Sequence, residues 1–262
     1  MDLQLTGKTA LITGASKGIG LEVARTLAAE GVRVAAAART ITPELAALDD
    51  VHPITADLAS STGPTELVEQ AIGELGALDI LVNNVGGVRP GISHGQRFAE
   101  IDDAAWQEAL DLNLMSAVRV TRSAIPSLTG QRGIIINISS IGARFAHPPI
   151  EYGVAKAALT NLGKALAEDL GPDGVRVLTV SPGPTATRNW TAPDGMGADL
   201  AREAGLGLDD FLAALPARMG ITTGRLTDPA ETAALITFLA SSAAGNITGV
   251  DYVIDGGVLK TV

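Results

Sequence analysis

Tyr152 and Lys156 stand four residues apart, a spacing that can support acid/base chemistry. On a helix, four residues make a little more than one turn, so both side chains project from the same face. A phenol near its ordinary pKa of about 10 exchanges protons poorly at neutral pH, but a neighbouring cation favours the phenolate. The pair is therefore a candidate for general acid/base catalysis. Taken alone, such a pair is more often a packed tyrosine beside a solvated lysine.

A glycine-rich turn near the N-terminus lies between an apolar run and an amphipathic stretch. This context suits phosphate binding, because the N–H groups at a helix N-terminus attract anions. The spacing TGxxxGxG gives a tight first turn and lets the backbone approach a pyrophosphate. Turns of this kind also occur without a ligand, so the motif needs support from other features. The residues expected to contact a dinucleotide here are Gly14, Ser16, Lys17, Gly18, Ile19 and Gly20.

The end of the second predicted strand indicates which dinucleotide is bound. An NAD site usually places a carboxylate there for the ribose hydroxyls, whereas this chain has Ala38 followed by Arg39. A guanidinium can grip a 2′-phosphate, and Lys17 can add a second positive charge. The alternative interpretation of Arg39 is a solvated charge at a strand end. The sequence favours NADP(H) as the cofactor.

Composition restricts the class of protein. The 262 residues fit one α/β domain, and with 46% hydrophobic but only 3% aromatic residues the core must consist of Ala, Val, Leu and Ile. A formal charge of −10 argues against a nucleic-acid or anionic-membrane partner. The absence of cysteine excludes disulfides and thiol nucleophiles. With no apolar signal core and no apolar run of about 18 residues, we expect a cytoplasmic protein without membrane partners.

Short apolar runs alternate with amphipathic stretches along the chain. This alternation predicts a single α/β domain over 1–262, a Rossmann-like doubly wound parallel sheet of about seven strands with helices on both faces. The segment 188–223, here called the lid segment, interrupts the alternation and is expected near the carboxyl ends of the strands. Strands are predicted at 9–13, 32–38, 51–55, 80–82, 134–138, 175–180 and 252–254, and helices at 19–29, 64–75, 103–128, 150–170 and 229–240.

Further short motifs follow in a fixed order along nearly the whole chain. They are Asp57-Leu58, Asn83-Asn84-Val85-Gly86, Leu112-Asn113-Leu114, Asn137-Ile138-Ser139-Ser140, Pro182-Gly183 with Thr187, and Asp255-Gly256-Gly257. Together with the glycine turn and the Tyr/Lys pair, this order resembles the short-chain dehydrogenase/reductase family. Each motif is common alone, but the ordered set is highly specific. Val85 stands where the family usually has Ala, a change that we expect to be tolerated.

The resemblance implies a carbonyl reduction, or the reverse alcohol oxidation, with a small-molecule substrate. Tyr152 would be the general acid/base, and NADPH would give a hydride to the carbonyl carbon. Lys156 would lower the pKa of Tyr152 and hold the nicotinamide ribose, and Asn113 would support a water relay behind it. Asp57 and Leu58 would lie by the adenine, Asn84 and Gly86 along the cofactor, and Thr187 against its carboxamide. Pro182, Gly183, Tyr152 and Lys156 would also contact the cofactor. Alternative roles are a turn residue for Asp57, a core amide for Asn113 and a cap for Thr187.

Two serines compete for the role of substrate-oxygen donor. In the family the catalytic serine is usually the second of the pair after the fifth strand, which is Ser140 here. It is also usually thirteen residues before the tyrosine, which is the position of Ser139. Because a strand fixes side-chain direction while the following loop can absorb a deletion, we expect Ser140 to be the donor.

Two other functional classes fit the sequence less well. A non-catalytic NADP(H) sensor on the same fold would not need Ser140, Tyr152 and Lys156, and a purely structural oligomer would not need the phosphate turn. His52 and His94 have no partner at metal-ligand spacing, so no metal site is predicted. His147 is a weaker candidate for facing the substrate. The resemblance also implies a homotetramer, built on the predicted helices 103–128 and 150–170.

Overall fold

The chain, described here from a computed structural model covering residues 2–88 and 96–261, is built around one parallel sheet. In those ranges the sheet has seven strands in the order β3-β2-β1-β4-β5-β6-β7. This confirms the predicted Rossmann-like doubly wound architecture. The strands are β1 Thr9–Thr13, β2 Arg33–Ala38, β3 Val51–Thr55, β4 Ile80–Asn83, β5 Ile134–Ile138, β6 Arg176–Pro182 and β7 Asp251–Ile254.

The strand order reverses next to β1, which pairs with β2 on one side and with β4 on the other. Crossovers from β1 and β4 therefore leave in opposite directions, and a crevice opens at the carboxyl ends of these two strands. Ligands of doubly wound sheets bind in that crevice.

Two apolar cores lie on the two faces of the sheet. In β2, Val34 and Ala36 belong to one core, while Ala35 and Ala37 belong to the other. This alternation follows from the two-residue period of a strand. The first core includes side chains of the helices at 18–29 and 229–240, and the second includes those of the helices at 63–75, 116–131 and 150–170.

Four of the five predicted helices agree with the structure to within one residue. The helix at 229–240 begins with a capping box, in which Glu231 accepts a hydrogen bond from the Asp228 N–H at 2.9 Å. The helices are α1 Gly18–Ala29, α2 Pro43–Ala46, α3 Gly63–Leu75, α4 Asp103–Leu110, α5 Ser116–Gln131, α6 Ile150–Leu170, α7 Arg188–Thr191, α8 Met196–Glu203, α9 Leu208–Arg218 and α10 Pro229–Ala240.

The helix predicted over 103–128 is wrong in one respect. A π-helical turn, Asp111–Met115, separates α4 from α5, and α5 continues to Gln131. Such a turn carries one extra residue per hydrogen-bonded ring and leaves no mark in the apolar periodicity. It carries Asn113, whose amide N–H donates to the carbonyl of Ala109 at 3.1 Å.

The lid segment follows β6 and contains α7, α8 and α9. It has an apolar cluster of its own, with Phe211 and Leu215 buried and Trp190 packed against them. These two aromatic side chains therefore pack within the segment. In the part of the chain that the structure describes, no helix is both long and apolar enough to span a membrane.

Candidate active site

Tyr152 and Ser140 meet at the carboxyl end of β5. Ser140 follows the strand, and its hydroxyl accepts a hydrogen bond from the Gly142 N–H at 3.1 Å, which closes a short turn before α6. Tyr152 lies in the first turn of α6, and its ring and the Ser140 hydroxyl approach the side-chain position of Gly142 to 3.5 and 3.4 Å. Burial raises the pKa of Tyr152 above its ordinary value, and the neighbouring Ser140 hydroxyl lowers this pKa to a smaller extent. The Tyr152 phenol is therefore protonated at neutral pH.

Lys156 lies one turn further along α6 and is almost fully buried, with 3% of its surface exposed. Its Nζ donates to the carbonyl of Ile138 at 2.8 Å and lies 6.0 Å from the centre of the Tyr152 ring. Burial lowers the pKa of Lys156 to about 8. The expected lowering of the Tyr152 pKa by this cation is not found, because burial dominates the pKa of Tyr152 in this structure.

The two serines point in opposite directions, as alternation along a strand requires. The Ser139 hydroxyl is buried against α6, where it donates to the carbonyl of Lys156 at 3.0 Å and lies 2.7 Å from the hydroxyl of Thr160. The Ser140 hydroxyl instead faces Tyr152. This geometry supports the choice of Ser140 as the substrate-oxygen donor.

Asn113 fastens the loop after β4 beside Lys156. Its Oδ1 accepts from the Gly87 N–H at 2.8 Å, and its Nδ2 donates to the Gly87 carbonyl at 3.1 Å. A side chain on Gly86 would begin 2.6 Å from Lys156 Nζ and 2.8 Å from Asn113 Oδ1. The amide of Asn113 is thus satisfied by backbone groups close to the lysine, and the water relay stays a prediction.

The glycine turn joins β1 to α1 in the conformation that a phosphate site needs. Gly14 and Gly18 have φ angles of +67° and +58°, which glycine adopts without strain. A side chain on Gly20 would collide with the Asn84 amide and the Gly14 carbonyl. Asn84 in turn donates to the carbonyl oxygens of Thr13 and Gly14 at 3.1 and 3.0 Å. The turn is therefore tied to the end of β4.

Basic side chains lie at the rim of this crevice. Lys17 and Arg39 are exposed, and neither forms an ion pair with another described residue. Ala38, the last residue of β2, is buried and brings no carboxylate. The arrangement leaves two cations available to an anionic ligand.

Asp57 and Leu58, which follow β3, lie in different environments. Asp57 is exposed, and its carboxylate accepts from the Ala59 N–H at 3.1 Å, as a turn residue does. Leu58 is buried in the second core. The backbone of Ser16, across the crevice opening, accepts a hydrogen bond from Thr42 at 2.9 Å. Ile19 packs against the first core, so its side chain supports the turn from below.

The far side of the crevice is formed after β6. Pro182 ends the strand, and Thr187 stands at the N-cap of α7 with its methyl group 3.0 Å from the side-chain position of Gly18. A side chain on Gly183 would collide with Asp255, whose carboxylate accepts the N–H groups of Gly257 and Leu259 at 2.8 Å each. The predicted cofactor residues of β1 and β6 thus meet across the crevice.

Neither histidine in the described ranges, His52 or His147, forms a hydrogen bond with a site residue. His147 is partly exposed, and its ring Nδ1 lies 2.6 Å from the Pro148 carbonyl oxygen. His52 is exposed on β3, and His94 lies outside the described residues. Among the residues of 2–88 and 96–261, no three His, Cys, Asp or Glu side chains cluster as a metal site would require.

Glu151 is the residue that sequence reasoning missed. It precedes Tyr152, is buried with 2% of its surface exposed, and its Oε2 has no hydrogen-bond partner. The signal was its spacing from Ala155 and Leu159, two apolar residues on one helix face, which places Glu151 on the buried side of α6.

Comparison with known proteins gives the family. The model described as enoyl-(acyl carrier protein) reductase matches residues 14–259. Curated relatives match over most of their length. L-xylulose reductase of Bos taurus is 32% identical over 100% of both chains. A short-chain reductase protein of Streptomyces niveus is 32% identical over 95% of this chain and 92% of its own.

The chain belongs to the short-chain dehydrogenase/reductase family. It is therefore an oxidoreductase that acts on CH–OH groups or on the corresponding carbonyl groups. A solved structure of L-sorbose reductase from Gluconobacter frateurii, complexed with NADPH and L-sorbose, matches this short-chain dehydrogenase/reductase with a TM-score of 0.90 at 32% identity, over 100% of both chains.

Proposed function

We propose that this protein is an NADPH-dependent carbonyl reductase that converts a ketone to a secondary alcohol, or catalyses the reverse oxidation. The observation that carries the proposal is that the Ser140 and Tyr152 side chains meet at the carboxyl end of β5, with buried Lys156 one turn behind. Ketone reduction needs a proton donor and an oxyanion donor beside a hydride site, and this group supplies both. Names of relatives, among them reductases of xylulose and sorbose, support a ketone substrate.

In the proposed reaction, the Tyr152 hydroxyl donates its proton to the substrate oxygen. The pKa of Tyr152 is raised by burial, so the group holds this proton at neutral pH. Ser140 donates a hydrogen bond to the same oxygen as negative charge develops there. Lys156, charged below a pKa of about 8, can then replenish the proton of Tyr152. Bound NADPH supplies the hydride for the carbonyl carbon.

The glycine turn fits the pyrophosphate of this cofactor. Gly20 lets the start of α1 pack against Asn84 and Gly14, and Gly18 opens α1, whose N-terminal N–H groups can bind phosphate. Arg39 and Lys17 would hold a 2′-phosphate, which NADPH has and NADH lacks.

Arg39→Ala is expected to weaken NADPH binding roughly 10- to 100-fold and to leave NADH binding unchanged. This range corresponds to the loss of a charge-assisted hydrogen bond, about 1.5–3 kcal/mol. Fluorescence titration of both cofactors measures the effect. Arg122→Ala, which removes another exposed arginine on α5, is the matched control. Equal losses of affinity for NADH and NADPH would show that Arg39 does not bind the 2′-phosphate.

The pH dependence of reduction is expected to follow Lys156. In the free enzyme its pKa is about 8, whereas the pKa of Tyr152 lies above its ordinary value. kcat/KM should therefore be level below pH 8 and fall above it, by about tenfold per pH unit, as the ammonium loses its proton. Circular dichroism at each pH separates this loss from unfolding. A level profile to pH 9.5 would contradict the assigned role of Lys156.

A screen of NADPH consumption over ketoses, small ketones and 3-oxoacyl thioesters tests the proposed function. Turnover of a ketone identifies the substrate class. The alternative is a non-catalytic NADP(H) sensor, which predicts NADPH binding with no turnover of any member of the panel.

A further inference from the structure

A buried carboxyl group lies next to the proposed acid. Glu151 is in the first turn of α6, and its Oε2 has no hydrogen-bond partner. Burying a carboxyl group without a partner costs stability, and nearly all buried polar atoms in proteins are paired. The reduction proposed above makes no use of this group.

Glu151 lines a small cavity between α4, the π-helical turn and α6. The cavity has a volume of about 20 Å³, enough for one water molecule. Its polar lining includes Asn113 and Tyr152 together with Glu151. A water molecule there would have polar neighbours on several sides, as a stable buried water requires.

The cavity is connected to Lys156 through Asn113. Asn113 Oδ1 and Lys156 Nζ approach the same point, the side-chain position of Gly86, to within 2.8 and 2.6 Å. Asn113 also lines the cavity. Asn113 therefore borders the cavity on one side and Lys156 on the other, while Lys156 itself does not line the cavity.

The same cavity leads outward to the surface of α4. Glu108 is an exposed residue of α4 and lines the cavity together with Glu151. Among the described residues that line the cavity, the titratable ones are Glu108 from α4 and Glu151 and Tyr152 from α6, and Lys156 lies beyond Asn113. The cavity lining from the π-helical turn and from the loop after β4 is uncharged, at Leu112, Asn113, Gly87 and Val88.

We propose that Glu151 is the proton-relay residue that connects Lys156 to solvent through this cavity. The inference rests on the proposed function, because the relay replaces the proton that each reduction consumes. Tyr152 gives its proton to the substrate oxygen, and the Lys156 ammonium reprotonates the phenolate. The Glu151 carboxyl group then gives a proton, through a water in the cavity, to the Lys156 amine, and regains one from solvent. One proton enters per alcohol formed, and the electron pair travels only with the hydride.

Glu151→Gln keeps the size of the side chain and removes its exchangeable acid. We expect kcat for reduction to fall about tenfold, with the KM values of both substrates changed less than about twofold. The solvent deuterium isotope effect on kcat should increase, because proton delivery becomes slower than hydride transfer. Glu151→Asp should retain most of the activity, since it keeps a carboxyl group at the cavity.

Glu168→Gln is the control, because Glu168 is an exposed carboxylate on the same helix that forms an ion pair with Lys164. It should leave kcat and the isotope effect unchanged. A wild-type kcat and isotope effect in Glu151→Gln would overturn the inference. Equal losses of kcat in Glu151→Gln and Glu151→Asp, with a lowered Tm, would also overturn it, because they would indicate a packing role for Glu151. A raised KM with unchanged kcat would overturn it as well, because it would indicate that Glu151 contacts the substrate.

Tyr152→Phe, measured in the same assay, separates this inference from the proposed function. If Tyr152→Phe remains active, Tyr152 is not the general acid, and the proposed relay through Glu151 is wrong as well. If Tyr152→Phe is inactive while Glu151→Gln behaves like wild type, only the relay is wrong.

Discussion

Tyr152→Phe is expected to lower kcat by roughly 10² or more and to leave NADPH affinity nearly unchanged. The substitution removes only the hydroxyl, which holds its proton at neutral pH because burial raises the pKa of Tyr152. The ring still fills its place beside Lys156, so the fold and the cofactor crevice should persist. Steady-state kinetics and a fluorescence titration with NADPH measure the two effects.

Tyr252→Phe is the matched control, since Tyr252 is the other of the two tyrosines in the chain. It lies on β7 and packs against the first core. We expect its kcat to stay within about twofold of wild type. Near wild-type turnover in Tyr152→Phe would exclude Tyr152 as the general acid.

Ser140→Ala is expected to lower kcat by about 10² to 10³, the usual effect of removing one oxyanion donor. The hydroxyl faces Tyr152 and stands at the end of β5, where a substrate oxygen would lie between them. The loss should appear in kcat and not in NADPH affinity, because the hydrogen bond from Ser140 to the substrate oxygen strengthens as negative charge develops on that oxygen.

Ser139→Ala provides the internal comparison. The Ser139 hydroxyl donates to the backbone of α6 and faces away from Tyr152, so kcat should stay near wild type. Loss of that buried hydrogen bond should reduce the free energy of unfolding by about 1 kcal/mol. A larger loss of turnover in Ser139→Ala than in Ser140→Ala would reverse the assignment of the two serines.

The strands could be predicted from sequence because a buried parallel strand is a short apolar run with clear ends. β1, β3 and β5 agree with the prediction at both ends. The π-helical turn could not be predicted, because Asn113 bonds to a distant loop that the periodicity of its own helix does not reveal. The three short helices of the lid segment pack mainly on one another, so their pattern carries little information about the sheet.

In the site, too, some features could be predicted from the sequence and others could not. The direction of Ser140 followed from strand alternation, which is local. The raised pKa of Tyr152 could not be predicted from sequence, because it depends on burial by the folded chain and not on the spacing to Lys156. Glu151 was missed because its environment is created by α4, about forty residues earlier in the sequence.

Several expectations stay predictions. These are the homotetramer, the single domain over 1–262, the cytoplasmic location and the absence of nucleic-acid partners. The acidic composition on which the last of them depends is a property of the whole chain, −10 at neutral pH.

Burial of Lys156 opposes the stability of the folded protein. The pKa of Lys156 is about 8 in the folded chain against an ordinary value of 10.5, so folding disfavours the charged form. The cost, about 3 kcal/mol by order of magnitude, is fully present below pH 8 and disappears as the pH rises to 10.5. At the pH where the ammonium is available for proton transfer, the protein is therefore held below the stability that its sheet and helices alone would give. The rest of the fold must therefore offset the free-energy cost of burying the charged Lys156 side chain.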